Sequence, residues 1–211
     1  MGFKIAVIYF SHTGRLVTLA NVIAEGVRQV EGAEVAVYRV KDPVVGDAPE
    51  HYDEGVLDAP VATPEVVLNA DCIIIGAPGR QSRMCAEMSY FFDTLSDFQS
   101  NGCLLKGKVG SAFTSAGGPG RGYGGHEAIL QGFHAVFLQH GMIPVGVPPS
   151  PVMEDAPTAS PFGTCMADGG RAEGKSPSSR LRSLSESEVK LAYSQGEWAA
   201  IITKQLHDDG V

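Results

Sequence analysis

A run of β-branched and aromatic residues, Ile5-Ala6-Val7-Ile8-Tyr9-Phe10, passes without interruption into Ser11-His12-Thr13-Gly14-Arg15-Leu16. An amphipathic segment follows at once, with Leu16, Leu19, Ala20, Ile23 and Val27 at three- and four-residue steps. A period of two that switches to 3.6 across a five-residue polar loop is a strand feeding a helix, the opening unit of a parallel sheet. The loop itself suits a phosphate monoester. Free backbone N–H groups and the positive end of the helix dipole would meet the anion, with the hydroxyls of Ser11 and Thr13 beside them. Gly14 allows the tight turn. After this first strand there is neither G-x-G-x-x-G nor a Gly-Lys-Ser/Thr ending, which argues against dinucleotide and Walker sites there. An ordinary strand-to-helix turn in which Ser and Thr cap the helix would use the same residue types.

The alternation continues. Strands are expected over 4–10, 34–40, 71–76, 108–114 and 142–147, and helices over 16–30, 64–69, 84–97, 126–140 and 185–206. Near-continuous apolar strands such as Cys72-Ile73-Ile74-Ile75 fit a sheet covered on both faces. The C-terminal segment Glu186–Leu206 reads as an amphipathic closing helix through Val189, Ala192, Tyr193, Trp198, Ile201, Ile202 and Leu206. Segments 41–62 and 148–184, rich in Pro, Gly and charge, read as long loops or covering segments of a single domain spanning 1–211.

At 211 residues and 44% hydrophobic, one sizeable core is within reach. A net charge of −8 leaves no footprint for a polyanion, so nucleic acid is not an expected partner. Nothing resembles a signal peptide or a membrane span. The four cysteines, Cys72, Cys85, Cys103 and Cys165, show no metal-ligand spacing; no metal is expected, and a reduced cytoplasmic setting fits them.

With these segments in place, the chain resembles the flavodoxin-like NAD(P)H:quinone oxidoreductases of the WrbA type. The resemblance is carried by residues 4–24, Ala59-Pro60-Val61-Ala62-Thr63-Pro64, residues 71–78 and residues 108–115. It continues through Gly124-Gly125-His126-Glu127, His140-Gly141-Met142-Ile143, Ser160-Pro161-Phe162-Gly163-Thr164 and Ser194-Gln195-Gly196-Glu197. It implies a doubly wound α/β fold with five parallel strands ordered 2-1-3-4-5 and FMN at the switch point. It also implies NADH or NADPH as donor, a quinone or related electrophilic aromatic as acceptor, and a homotetramer or dimer. By the same resemblance, Ser11, His12, Thr13, Gly14, Arg15 and Leu16 wrap the phosphate. Pro78, Gly79, Arg80, Gln81 and Ser82 edge the flavin ring, and Ser115, Ala116, Gly117 and Gly118 approach its other side.

Three departures from the family pattern stand out. Pro-Gly-Arg-Gln-Ser at 78–82 replaces Pro-Thr-Arg-Phe-Gly, and Gln139 stands where a flavin-associated His is usual. Pro119-Gly120-Arg121-Gly122-Tyr123 lengthens the loop before Gly124, which makes Tyr123 and Arg121 candidates for substrate contact. His126, in place of a family Gln, is the first candidate to protonate a quinone oxygen, because imidazole exchanges protons near neutrality. His12 and His140 are weaker candidates, His140 reading better as a dipole-stabilised helix end. Arg80 is a candidate to support charge on the reduced ring or bind a dinucleotide phosphate. Arg171, Lys175, Arg180 and Arg182 are a candidate site for the NADPH ribose phosphate, although a solvated stretch is the favoured reading given its Ser-Pro-Gly surroundings. A single-electron carrier, an FMN reductase and a flavin-poor binding protein are the competing readings.

Overall fold

The structure, a computed structural model, describes residues 2–117, 123–150, 159–167 and 184–209. Strand β1 (Phe3–Tyr9) explains the layering. Phe3, Ile5, Val7 and Tyr9 project to one face of the sheet, where α1 (Arg15–Val27) and the last helix lie. Ala6, Ile8 and the following Phe10 project to the other. Both sets are buried, as a strand inside a two-sided parallel sheet requires.

The main path of the sheet runs β2-β1-β3-β5-β6. Its members are β2 (Ala33–Arg39), β3 (Cys72–Arg80), β5 (Val109–Ala116) and β6 (Ile143–Pro144), all paired parallel. This is the flavodoxin-like order expected from the sequence. Only the numbering differs, because β4 (Arg83–Met84) is a short antiparallel return against the end of β3. Helices α2 (Pro64–Asn69), α3 (Ala86–Asp93), α4 (Ser96–Ser100), α5 (His126–Gln139) and α6 (Glu186–Asp208) complete the described elements.

Three elements differ from expectation for physical reasons. The helix expected over 84–97 is broken, because Thr94 Oγ1 donates to Phe91 O at 2.6 Å and Ser96 Oγ to Asp93 O at 2.7 Å. Such local bonds compete with helix propagation. The fifth strand is made in two pieces. Val145 N donates to Gly110 O at 2.7 Å, the chain leaves, and β7 (Thr164–Ala167) returns to pair with Phe113–Ala116. Segment 41–62 is built rather than loose, with a 3-10 turn at Pro49–His51, the bridge Asp42↔Gly46 and the ion pair Arg39–Asp47 at 2.7 Å.

Helix α6 buries a different stripe from the one its large residues suggested. Leu191, Ala192, Gln195, Gly196, Ala199, Ala200 and Thr203 face inward, whereas Trp198 and Val189 are exposed. The reason is proximity: a Cβ on Gly196 would overlap Ile23 O, and one on Gly26 would overlap Tyr193 O. Backbones that approach so closely admit only small residues. A capping box, with Ser185 N donating to Glu188 Oε2 at 2.8 Å, fixes where α6 begins. Among the described residues, no helix is long and apolar enough to cross a membrane.

Candidate functional site

The loops after β1, β3 and β5 all leave from the carboxyl ends of neighbouring strands, where open α/β sheets bind ligands. The first is the loop singled out from sequence. Gly14 is the N-cap of α1 at φ 71°, and among the described residues no side chain makes a cap hydrogen bond there. Ser11 and Thr13 therefore do not act as caps, and the helix-capping alternative is set aside. Among the described residues, no backbone carbonyl takes the N–H groups of His12, Thr13, Gly14 or Leu16. Ser11 is buried beside them and Thr13 is exposed. A helix start whose N–H groups at His12, Thr13, Gly14 and Leu16 meet no described backbone carbonyl fits a phosphate group on the chemistry of its donors alone.

The second loop is a two-residue hairpin. Gly79 pairs with Met84 and Arg80 with Arg83, leaving Gln81 at φ 53° and Ser82 at φ 59° as the turn. Two successive positive φ values are the signature of a type I′ turn, which ordinarily carries Asn-Gly. Arg80 and Arg83 stand opposite each other, both exposed. The third loop follows Ser115 and Ala116, both buried, and re-enters α5 through Gly125 at φ 66°.

Glycine lets these two loops pack onto one another. A Cβ on Gly79 would overlap Ile129 Cδ1 of α5, one on Gly125 would overlap Ser82 Oγ, and one on Gly124 would overlap Gly117 O. The hairpin tip thus rests on the start of α5. His126, the first residue of α5, is buried there, and Tyr123 is 76% exposed beside it. Gly118 and Arg121 lie outside the described residues, as do Arg171, Lys175, Arg180 and Arg182.

One expected site residue is not brought to these loops. Gln139 ends α5, whose 14 residues carry the chain about 21 Å from His126. Its amide meets Gln99 Oε1 at 3.4 Å, and the next residues bond to the turn that precedes β5 through Gly107 N to Gly141 O at 3.0 Å. Within one chain, Gln139 therefore sits at the opposite edge of the sheet from the phosphate loop. The adjacent His140 also departs from expectation. It closes α5 but is buried, and burial pushes its pKa down, which disfavours the charged form that would best complement the helix dipole. The buried thiols of Cys72, Cys85 and Cys165 are pushed up to about 12 and are not nucleophiles.

One group of residues was not found from sequence. His12 Nε2 lies 3.5 Å from Asp42 Oδ2 and 3.8 Å from Glu87 Oε1, bringing together the first loop, the segment after β2 and the first turn of α3. The residues are 30 and 45 positions apart, and nothing in their local sequence links them.

Residues 3–152 match the NADPH-dependent FMN reductase family. The chain belongs to that family. It is 34% identical over 209 residues to an NAD(P)H dehydrogenase (quinone) of Chromohalobacter salexigens, covering 96% of this chain and 98% of that one. An NAD(P)H dehydrogenase (quinone) of Trichlorobacter lovleyi is 34% identical over 212 residues, with the same coverage of both chains. The resemblance read from the sequence is thus matched by full-length relatives. Among solved structures, a flavodoxin, WrbA-like protein from Agrobacterium tumefaciens superposes with a TM-score of 0.61 at 18% identity, covering 97% of this chain and 99% of that one. That likeness establishes the flavodoxin-like fold.

Proposed function

We propose that the protein is an FMN-dependent NAD(P)H:quinone oxidoreductase acting by a ping-pong mechanism, in the cytoplasm and as a homotetramer or dimer. The observation that carries the reading is the uncapped start of α1 at Gly14, directly after the first strand. The names of the full-length relatives support the donor and acceptor classes. FMN, when bound, supplies hydride acceptance from NADH or NADPH and two-electron delivery to a quinone that takes the donor's place.

The chain's own residues divide the remaining work. Ser11, Thr13 and the N–H groups of His12 through Leu16 hold the phosphate and thereby fix where the ring lies. The backbones at Pro78, Gly79, Ser115, Ala116 and Gly117 flank the ring position. Donors fixed in such loops stabilise negative charge without having to reorganise. The hairpin of Arg80, Gln81 and Ser82 borders the mouth, and Arg80 supplies positive charge for the reduced ring or the donor's phosphate. His126 is placed at the start of α5 to hand a proton to a quinone oxygen, with Tyr123 and Arg121 contacting the acceptor.

Visible absorbance during FMN titration, followed by stopped-flow reduction with each nicotinamide and turnover of benzoquinone, tests the reading. Stoichiometric yellow protein, fast reduction by at least one nicotinamide and parallel-line kinetics are expected. Failure to bind FMN at tens of micromolar refutes it. Bound FMN that nicotinamides do not reduce identifies a single-electron carrier instead.

A further inference from the structure

The cluster of His12, Asp42 and Glu87 has the build of a metal site rather than of a hydrogen-bonded ion pair. His12 Nδ1 lies 2.9 Å from His51 O. A carbonyl only accepts, so Nδ1 carries the proton, and in the neutral ring the lone pair of Nε2 is turned toward the two carboxylates. A ring N–H held by a backbone carbonyl is the usual outer support of a metal-bound histidine. The ring is held further by Tyr52, stacked at 5.0 Å with planes 6° apart, and by the edge of Phe10, also at 5.0 Å.

The carboxylates are equally prepared. Asp42 is 5% exposed at its side chain, and its Oδ1 is occupied by the N–H groups of Val44 and Val45 at 2.7 and 3.0 Å, which leaves Oδ2 directed at His12. Glu87 turns Oε1 toward His12, while its Oε2 is buried on the side of the Cys85 thiol and makes no other hydrogen bond among the described residues. Donor atoms of the three residues all lie within 4.8 Å of one another. Tetrahedral bonds of 2.0–2.2 Å place neighbouring ligand atoms roughly 3.3–3.6 Å apart. The separations from His12 Nε2, 3.5 and 3.8 Å, are long for hydrogen bonds and close to that spacing.

We propose that His12, Asp42 and Glu87 bind a first-row divalent cation of the zinc class, with water completing the coordination. One imidazole and two carboxylates suit such an ion, whereas calcium requires six to eight oxygens and magnesium a near-octahedral shell. The ion would tie the phosphate loop to the segment after β2 and to α3. This site does not depend on the flavin reading, since its donors are side chains and the phosphate donors are chiefly backbone.

Isothermal titration of the FMN-loaded, chelator-treated protein with zinc chloride tests it. Cobalt(II) spectra supply an independent readout of ligand geometry, and the flavin spectrum shows whether FMN is retained. One zinc per chain is expected, weakened about tenfold or more by Glu87→Gln and by His12→Asn. His207→Asn, which removes a surface imidazole beside Asp208, should leave it unchanged. Glu87 lies outside the phosphate loop, so Glu87→Gln carries the test if His12→Asn releases the flavin. No uptake, or uptake that survives either exchange, overturns the assignment and leaves the cluster a packing contact between the three segments. Failure of FMN binding with zinc uptake intact would instead refute only the oxidoreductase reading.

Discussion

The β3–β4 hairpin makes a quantitative prediction. Gln81 and Ser82 both have positive φ, at 53° and 59°, and neither is the residue type that tolerates it best. For a residue with a Cβ the left-handed region costs about 1–2 kcal/mol. Replacing Ser82 by Gly removes that strain but adds about 0.5–1 kcal/mol of chain entropy to the unfolded state. Asn at 81 recovers a further few tenths, because its side chain bonds locally in this conformation. Loss of Ser82 Oγ, which rests on Gly125, is offset by the exposure of Ser82. The double exchange Gln81→Asn and Ser82→Gly should therefore stabilise the protein by about 1 kcal/mol. In a chain of this length that corresponds to about 2–4 °C in Tm. Differential scanning calorimetry with saturating FMN, and again without it, provides the assay. A Tm that is unchanged or lower in both states would refute the claim that the turn is strained. If the gain appears only without FMN, the strain is used to shape the ring side of the site, as strain retained at functional sites commonly is.

Other perturbations probe separate parts of the molecule. Gly196→Ala should lower stability although alanine is the better helix former: overpacking costs about 1–3 kcal/mol against a propensity gain near 1, and a higher urea midpoint would show that α6 does not press on Ile23. His134 and His140 both have pKa values lowered by burial; the unfolded chain then binds the extra protons, so stability should hold above about pH 6.5 and fall as the pH drops toward the lower folded values. Urea midpoints between pH 5 and 8 check this, and His140→Leu, placed among Val67, Phe137 and Met142, should flatten the dependence. His126→Ala should slow quinone turnover several-fold while leaving flavin reduction by NADH unchanged; equal effects on the two half-reactions would remove His126 from proton delivery.

Much of the scaffold was legible because its signals are local. The switch from period two at Ile5–Phe10 to period 3.6 at Leu16–Val27 needs only adjacent residues, and all five apolar positions of that helix are buried. What sequence reading missed depends on distance in the chain. Trp198 draws attention as a core residue, yet α6 lies so close to α1 that Gly26 and Gly196 decide which face is buried. Gln195 enters the sequence reading only as part of a family-like stretch, yet its Nε2 donates to Ser111 Oγ at 2.8 Å and Ala112 O at 2.7 Å while Oε1 accepts from Thr164 N at 3.0 Å. It stitches the two-piece fifth strand to β5, a role that exists only once β7 has returned. The turn at Gln81-Ser82 escaped for the opposite reason, since its residues contradict the Asn-Gly preference of its geometry. The same division runs through the site. The phosphate end is formed by one continuous loop whose chemistry is written in its residues. The ring end and the His12, Asp42 and Glu87 cluster are assembled from segments that meet only after the sheet has ordered them, so their chemistry depends on tertiary placement.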